Sequence, residues 1–116
     1  MVLKDFLFPG EDIRFQSPRR VRTHDDLFEF YITDHRILLY KRRGVVLKKD
    51  TIIAERLEDI RTLHYHEKGL LKKRGVLHIE TLSKKMEPIE GRAPNIKAIW
   101  QELQKYIKTS APLTHF

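Results

Sequence analysis

Near its C-terminus the chain carries a single strong helical signal, and everything before it reads as strand. Pro94–Lys108 spells PNIKAIWQELQKYIK, in which Ile96, Ile99, Trp100, Leu103 and Ile107 recur at helical spacing and so form one apolar stripe. Lys97, Gln101, Glu102, Gln104, Lys105 and Lys108 take the opposite face. Pro94 suits a first turn, where its missing N–H costs nothing. A helix this short is marginal alone in water, so the stripe needs a surface to cover. Burying its five side chains is worth roughly 8–15 kcal/mol before the entropy of ordering is charged. A wall of strands is the only surface that the preceding sequence offers.

The strands are read from period-two patterns bounded by turn residues. Met1–Pro9 is expected to make a short helical turn ended by Pro9-Gly10, and Glu11–Ser17 a first strand with Ile13 and Phe15 on one side. Pro18–Asp26 is polar and reads as a loop carrying Arg19, Arg20, Arg22 and His24. Leu27–Thr33 and Arg36–Arg42 read as strands joined by the tight Asp34-His35 link. Both their faces are largely apolar, which predicts central, covered strands. Arg43-Gly44 is the next turn, Thr51–Arg56 a strand, and Leu57–Ile60 a single helical turn. Arg61–His66 is a strand with Leu63 and Tyr65 on one face and Thr62, His64 and His66 on the other. A basic loop, Glu67–Gly75, precedes the strand Val76–Thr81; Leu82–Lys85 turns, Met86–Ile89 is the last strand, and Gly91-Arg92-Ala93 leads into the helix. All five glycines fall at or beside these turns. The sum is one mainly β domain over residues 1–116, a small bent antiparallel sheet or open barrel closed by a C-terminal helix, with a core over about residues 7–108 and a loose tail, 109–116.

Several of these segments resemble the prokaryotic pleckstrin-homology-like domains. They are Pro9-Gly10-Glu11 before the first strand, Ile32-Thr33-Asp34-His35-Arg36-Ile37 across the hairpin, Leu57-Glu58-Asp59-Ile60, Gly69-Leu70-Leu71, Gly75-Val76-Leu77-His78-Ile79 and the Pro-Asn lead into the helix. In the hairpin, Thr33 and Asp34 are suited to bond the turn backbone, and Arg36 to pair with Asp34 or a nearby carbonyl. The resemblance implies a PH-like, seven-stranded bent antiparallel barrel capped by a C-terminal α-helix, with the first, third and sixth connections gathered at the open end. Eukaryotic relatives hold phosphoinositide headgroups there through Lys and Arg, and some prokaryotic relatives resemble assembly or protein-binding modules.

On that topology the basic residues Arg19, Arg20, Arg22, Lys41, Arg42, Arg43, Lys48, Lys49, Lys84 and Lys85 form a rim that would take an anion or a lipid headgroup by charge-assisted hydrogen bonds. Arg20-Val21-Arg22 resembles the two-basic pattern of lipid-binding relatives, shifted into the loop after Pro18. The formal charge of +7 fits such a partner, an anionic membrane surface or an acidic protein. It also fits a heat-adapted surface, since the chain has one asparagine, three glutamines, two methionines and no cysteine. Lys68, Lys72, Lys73 and Arg74 form a second basic cluster at the opposite end, which favours that plainer account.

His64, His66 and His78 come together if the strands around the Glu67–Gly75 loop pair, with Glu80 on the same face. Imidazoles so spaced could hold zinc, although surface histidines are the simpler reading, and no metal or other cofactor is expected. The absence of cysteine excludes disulfides, thiolate sites and cysteine nucleophiles. No GxSxG, GK[ST] phosphate loop, GxGxxG or HExxH occurs, so catalysis is not expected. Phe28, Phe30 and Tyr31 belong to the core and not to a nucleic-acid stacking platform, and nucleic acid ranks below lipid or protein as a partner. The acidic residues in the first fifteen positions argue against a signal peptide, and no apolar run exceeds four or five residues. The expectation is a cytoplasmic, non-catalytic binding or adaptor module, for a protein partner or self-association, with peripheral docking on anionic lipid as the alternative.

Overall fold

The computed structural model describes residues 3–42 and 50–107. A short 3-10 turn, Leu3–Phe6, precedes β1 (Ile13–Gln16), β2 (Val21–Thr23), β3 (Asp26–Thr33), β4 (Arg36–Lys41) and β5 (Thr51–Arg56). A second 3-10 turn, Leu57–Asp59, leads to β6 (Ile60–Lys68), β7 (Arg74–Thr81), β8 (Ile89–Arg92) and the helix α1 (Ala93–Gln104). All pairings are antiparallel, in the order β5-β4-β3-β2-β8-β7-β6, with β1 also on β3. This is the expected bent sheet with one C-terminal helix.

The stretch Pro18–Asp26, expected as a loop, contains a strand. β1 pairs with the far half of β3 (Gln16↔Tyr31), and β2 with its near half (Val21↔Phe28, Thr23↔Asp26). The two are one strand interrupted at Ser17–Arg20, where Pro18 has no N–H to give a ladder. β2 also pairs with β8 through Arg22↔Glu90, so this broken strand is the corner where the sheet bends. The last strand is Ile89–Arg92 instead of Met86–Ile89, and it runs straight into the helix. Met86 donates its N–H back to the Ile79 carbonyl, 2.9 Å away, and tucks into the core. The helix ends at Gln104, short of Lys108, yet Tyr106 and Ile107 still pack on the core.

β3 and β4 are covered on both faces, as their composition demands. Phe28, Phe30, Ile32, Ile37 and Leu39 face the main core together with Leu77, Ile79, Ile89, Ile96, Ile99 and Leu103. Tyr31, Leu38 and Tyr40 point the other way, under Leu3, Phe6 and Leu7 of the N-terminal segment. The helix packs on β7, β8 and β6. It comes so close because Gly75 and Gly91 face Ile96: a Cβ on Gly75 would lie 2.9 Å from the Ile96 Cβ, and one on Gly91 3.1 Å from its Cδ1. Trp100 is half-buried and stacks on Tyr65, centroids 5.3 Å apart at 15°.

The hairpin motif is completed from a distance. Arg36 pairs not with Asp34 but with Glu11, through Nε (2.9 Å) and Nη2 (3.0 Å), and also donates to the Phe6 carbonyl. Glu11 further accepts from the Thr33 hydroxyl (2.6 Å) and the Phe8 N–H (2.8 Å). Thr33 Oγ1 accepts in turn from the N–H groups of His35 and Arg36, so turn and ion pair form one network.

Candidate functional site

A concave surface whose charged lining is wholly cationic lies where the β6–β7 turn meets the start of α1. Gly69 takes a left-handed φ of +98°, which lets the chain reverse there, and the turn brings Lys72, Lys73 and Arg74 beside Arg92 at the end of β8. The Lys73 carbonyl accepts from the Ala93 N–H at 3.3 Å, tying the turn to the first residue of the helix. On the other side, the break between β1 and β2 delivers Pro18 and Arg19. Buried Asn95 holds that break in place, donating to the Arg19 carbonyl (3.2 Å) with its Oδ1 3.1 Å from the Ser17 hydroxyl. The result is a groove of about 830 Å³ floored by Pro94, Asn95 and Ala98 and walled by Arg19, Lys72, Lys73, Arg74 and Arg92.

Two carboxylates lie near these cations. Glu90 is 3.2 Å from Lys68 and 4.0 Å from Arg74, and Glu67 is 3.9 Å from Lys73. Glu67 also accepts from the Tyr65 hydroxyl at 2.8 Å, and burial with that bond pushes the phenol up to about 12. Among the described residues, Arg19, Lys72 and Arg92 enter no ion pair, so the groove keeps a cationic excess. No side chain caps the N-terminus of α1 and no acid stands in its first turn, so the positive end of the helix dipole adds to the same sign. Directly beyond, at the tip of the turn, Leu70 and Leu71 are 96% and 99% exposed. These two adjacent leucines, flanked in sequence by Lys68, Lys72 and Lys73, are the most exposed large apolar side chains among the described residues.

Of the ten residues expected to form a basic rim, seven lie among the described residues. Arg19 belongs to the groove just described, and Arg22 lies exposed on β2, opposite Glu90. Arg20 is exposed in the break before β2. Lys41 pairs with Asp26, and Lys84 with Glu55 on β5 at 2.8 Å. Lys85 lies exposed at a single bridge to Glu80, and Arg42 is exposed at the end of β4. Arg43, Lys48 and Lys49, like the Arg43-Gly44 turn and the tail after Ile107, lie outside the described residues. The β2–β3 turn and the β7–β8 connection do meet, Thr23 Oγ1 donating to the Glu87 carbonyl at 3.4 Å.

A second groove of about 840 Å³ runs past Phe8, His35, Arg36, Arg56, Glu58, Arg61 and Tyr106. Its cations are engaged locally: Arg36 with Glu11, Arg56 with Glu58, and Arg61 with the carbonyls of Glu58 and Ile60.

The three strand histidines lie on one exposed face. His64 is directly opposite His78, and the Nε2 atoms of His66 and His78 are 3.2 Å apart. Burial, and then the neighbouring His66 and His64, hold the His78 imidazole below its usual pKa. In the orientations they hold, no group of three or more His, Asp or Glu side chains among the described residues could bind a metal ion.

The basic groove was not read from sequence because it is built from three separated segments, at residues 19, 72–74 and 92. The available signal was Gly69-Leu70-Leu71-Lys72-Lys73-Arg74 itself, a turn whose apolar pair no strand can bury.

No protein-family model and no curated protein matches the chain. Among solved structures it is similar to a pleckstrin homology domain from Shewanella amazonensis SB2B, at 18% identity over 90% of each chain with a TM-score of 0.62. The chain therefore has the pleckstrin-homology-like fold that its turn and core motifs imply.

Proposed function

We propose that this chain is a non-catalytic binding module that docks on an anionic lipid bilayer through the β6–β7 end. One observation carries the reading: two fully exposed leucines stand at the tip of a turn whose flanks and adjoining groove are cationic. Each basic residue near an acidic leaflet contributes about 1 kcal/mol, and the attraction fades within a Debye length as salt rises. The two leucines add roughly 1.5–3 kcal/mol each if they enter the acyl boundary fully. Neither term alone gives firm attachment, whereas together they suit reversible peripheral binding.

A second reading is docking of a protein or of another copy by strand addition. It has an open edge to work with, because the nine-residue β6 is the terminal strand of the sheet. Light scattering across a concentration series separates the two readings.

Co-sedimentation with phosphatidylserine-containing and pure phosphatidylcholine vesicles, at two salt concentrations, tests the first. The expected result is binding to the acidic vesicles alone, weakened by salt. Lys72→Gln with Lys73→Gln should lower affinity about tenfold or more, at roughly 1 kcal/mol per charge. Arg56→Gln with Arg61→Gln, which neutralises two cations of the second groove, should change it far less. Equal loss from both pairs, or no binding at low salt, would refute the proposal.

A further inference from the structure

We propose that His64, His66 and His78 form a binding site for one divalent transition-metal ion of the zinc class. The three imidazoles come from two neighbouring strands whose register is fixed by β6–β7 pairing. Their ring centroids make a near-equilateral triangle: 5.3 Å for His66–His78, 5.7 Å for His64–His66 and 5.9 Å for His64–His78. A zinc–nitrogen bond of about 2.0–2.1 Å sets each ring centre about 3.2 Å from the ion, and two such rings at the tetrahedral angle stand about 5.2 Å apart. The same geometry separates the two donor nitrogens by about 3.4 Å. The 5.3 Å ring spacing and the 3.2 Å Nε2–Nε2 separation of His66 and His78 meet both conditions with little adjustment.

The third ring is the one that must move. His64 is exposed, so its imidazole turns freely about its own side-chain bonds, and its centroid is already within 0.7 Å of the ideal spacing. Closing the triangle leaves a fourth position open to water. Neutral imidazole is the ligating form. The charged groups around the patch oppose one another: Lys85 repels a cation, while Glu90 and Glu80 attract it. The site is distinct from the basic groove and independent of the lipid reading. An ion held there would clamp β6 to β7, the longest strand pair in the fold.

The test is isothermal titration of the full chain with zinc chloride, repeated on His64→Gln, His66→Gln and His78→Gln. His35→Gln and His115→Gln serve as controls, and light scattering runs in parallel. The expected result is one ion per chain in a monomer, weakened about tenfold or more by each of the three substitutions and unchanged by the controls. Thermal denaturation of wild type should shift upward with zinc, because the ion binds only the paired strands. All three positions are exposed, so the variants should fold, and circular dichroism confirms it. Absence of binding at millimolar zinc, dependence on His35 or His115, indifference to His64→Gln, or half-stoichiometric binding by a zinc-bridged dimer would each overturn the proposal.

Discussion

Glu11→Ala is expected to lower the unfolding free energy by about 3–5 kcal/mol, the range for breaking a buried ion pair from one side. The Glu11 side chain is wholly buried and that of Arg36 nearly so. Removing the carboxylate strands the guanidinium over the Phe8 ring, 3.9 Å from its centroid, deprives the Phe8 N–H of its acceptor, and leaves the Thr33 hydroxyl only the Arg36 carbonyl at 3.3 Å. Glu11→Gln, which retains an acceptor, should cost less. The same carboxylate predicts an acid transition. Burial alone would raise its pKa, but hydrogen bonds from Arg36, Thr33 and Phe8 overcome that and hold it at about 2, against 4.5 unfolded. Its stabilising contribution is therefore complete above about pH 5 and is lost as pH falls from 4.5 towards 2, by about 3 kcal/mol in all. Urea denaturation between pH 2 and 7 measures both effects. A wild-type curve flat across that window, or a Glu11→Ala variant within about 1 kcal/mol of wild type, would contradict the assignment.

Ile96→Ala is expected to cost about 2–5 kcal/mol and to loosen the helix from the sheet. Ile96 is fully buried and fills the hollow left by two glycines, and the neighbouring sheet residues cannot collapse far into the space it would vacate. Gly75→Val reaches the same contact from the other side. Its Cβ would start 2.9 Å from both Ile96 Cβ and Tyr65 Cε1, so about 1–3 kcal/mol of overpacking is expected. The single tryptophan reports directly, because Trp100 stacks on Tyr65 only when the helix is seated. Both variants should red-shift its emission below the unfolding transition. An unshifted spectrum with wild-type stability would place the seat elsewhere.

What could be read in advance was what repeats locally. The stripe from Ile96 to Ile107 has helical period and no competing turn residue, so the helix and its buried face were plain. The Asp34-His35 hairpin and the pairing of His64 with His78 follow from period-two alternation around short turns. β2 was hidden because Val21 is one apolar residue between two arginines, and a single residue has no period. The Glu11–Arg36 pair spans 25 positions, and the nearer Asp34 was the natural partner by spacing. The candidate site failed to show for a related reason. Arg19 was grouped with its sequence neighbours Arg20 and Arg22, whereas the break at Pro18 sends it to the helix start, and Lys72–Arg74 were read as an ordinary basic turn.

The lipid reading makes a directional claim, since β7 separates the Leu70-Leu71 tip from Leu82 by about 24 Å at 3.4 Å per residue. Leu82 is 63% exposed and sits in the β7–β8 connection, at the other end of β7. The chain has no cysteine, so Leu70→Cys and Leu82→Cys can each carry one polarity-sensitive fluorophore. With phosphatidylserine vesicles the account predicts a blue shift and quenching by bilayer-embedded quenchers at position 70, and neither at position 82. A shift at 82 with none at 70, or no shift at either while the protein sediments with the vesicles, would contradict it.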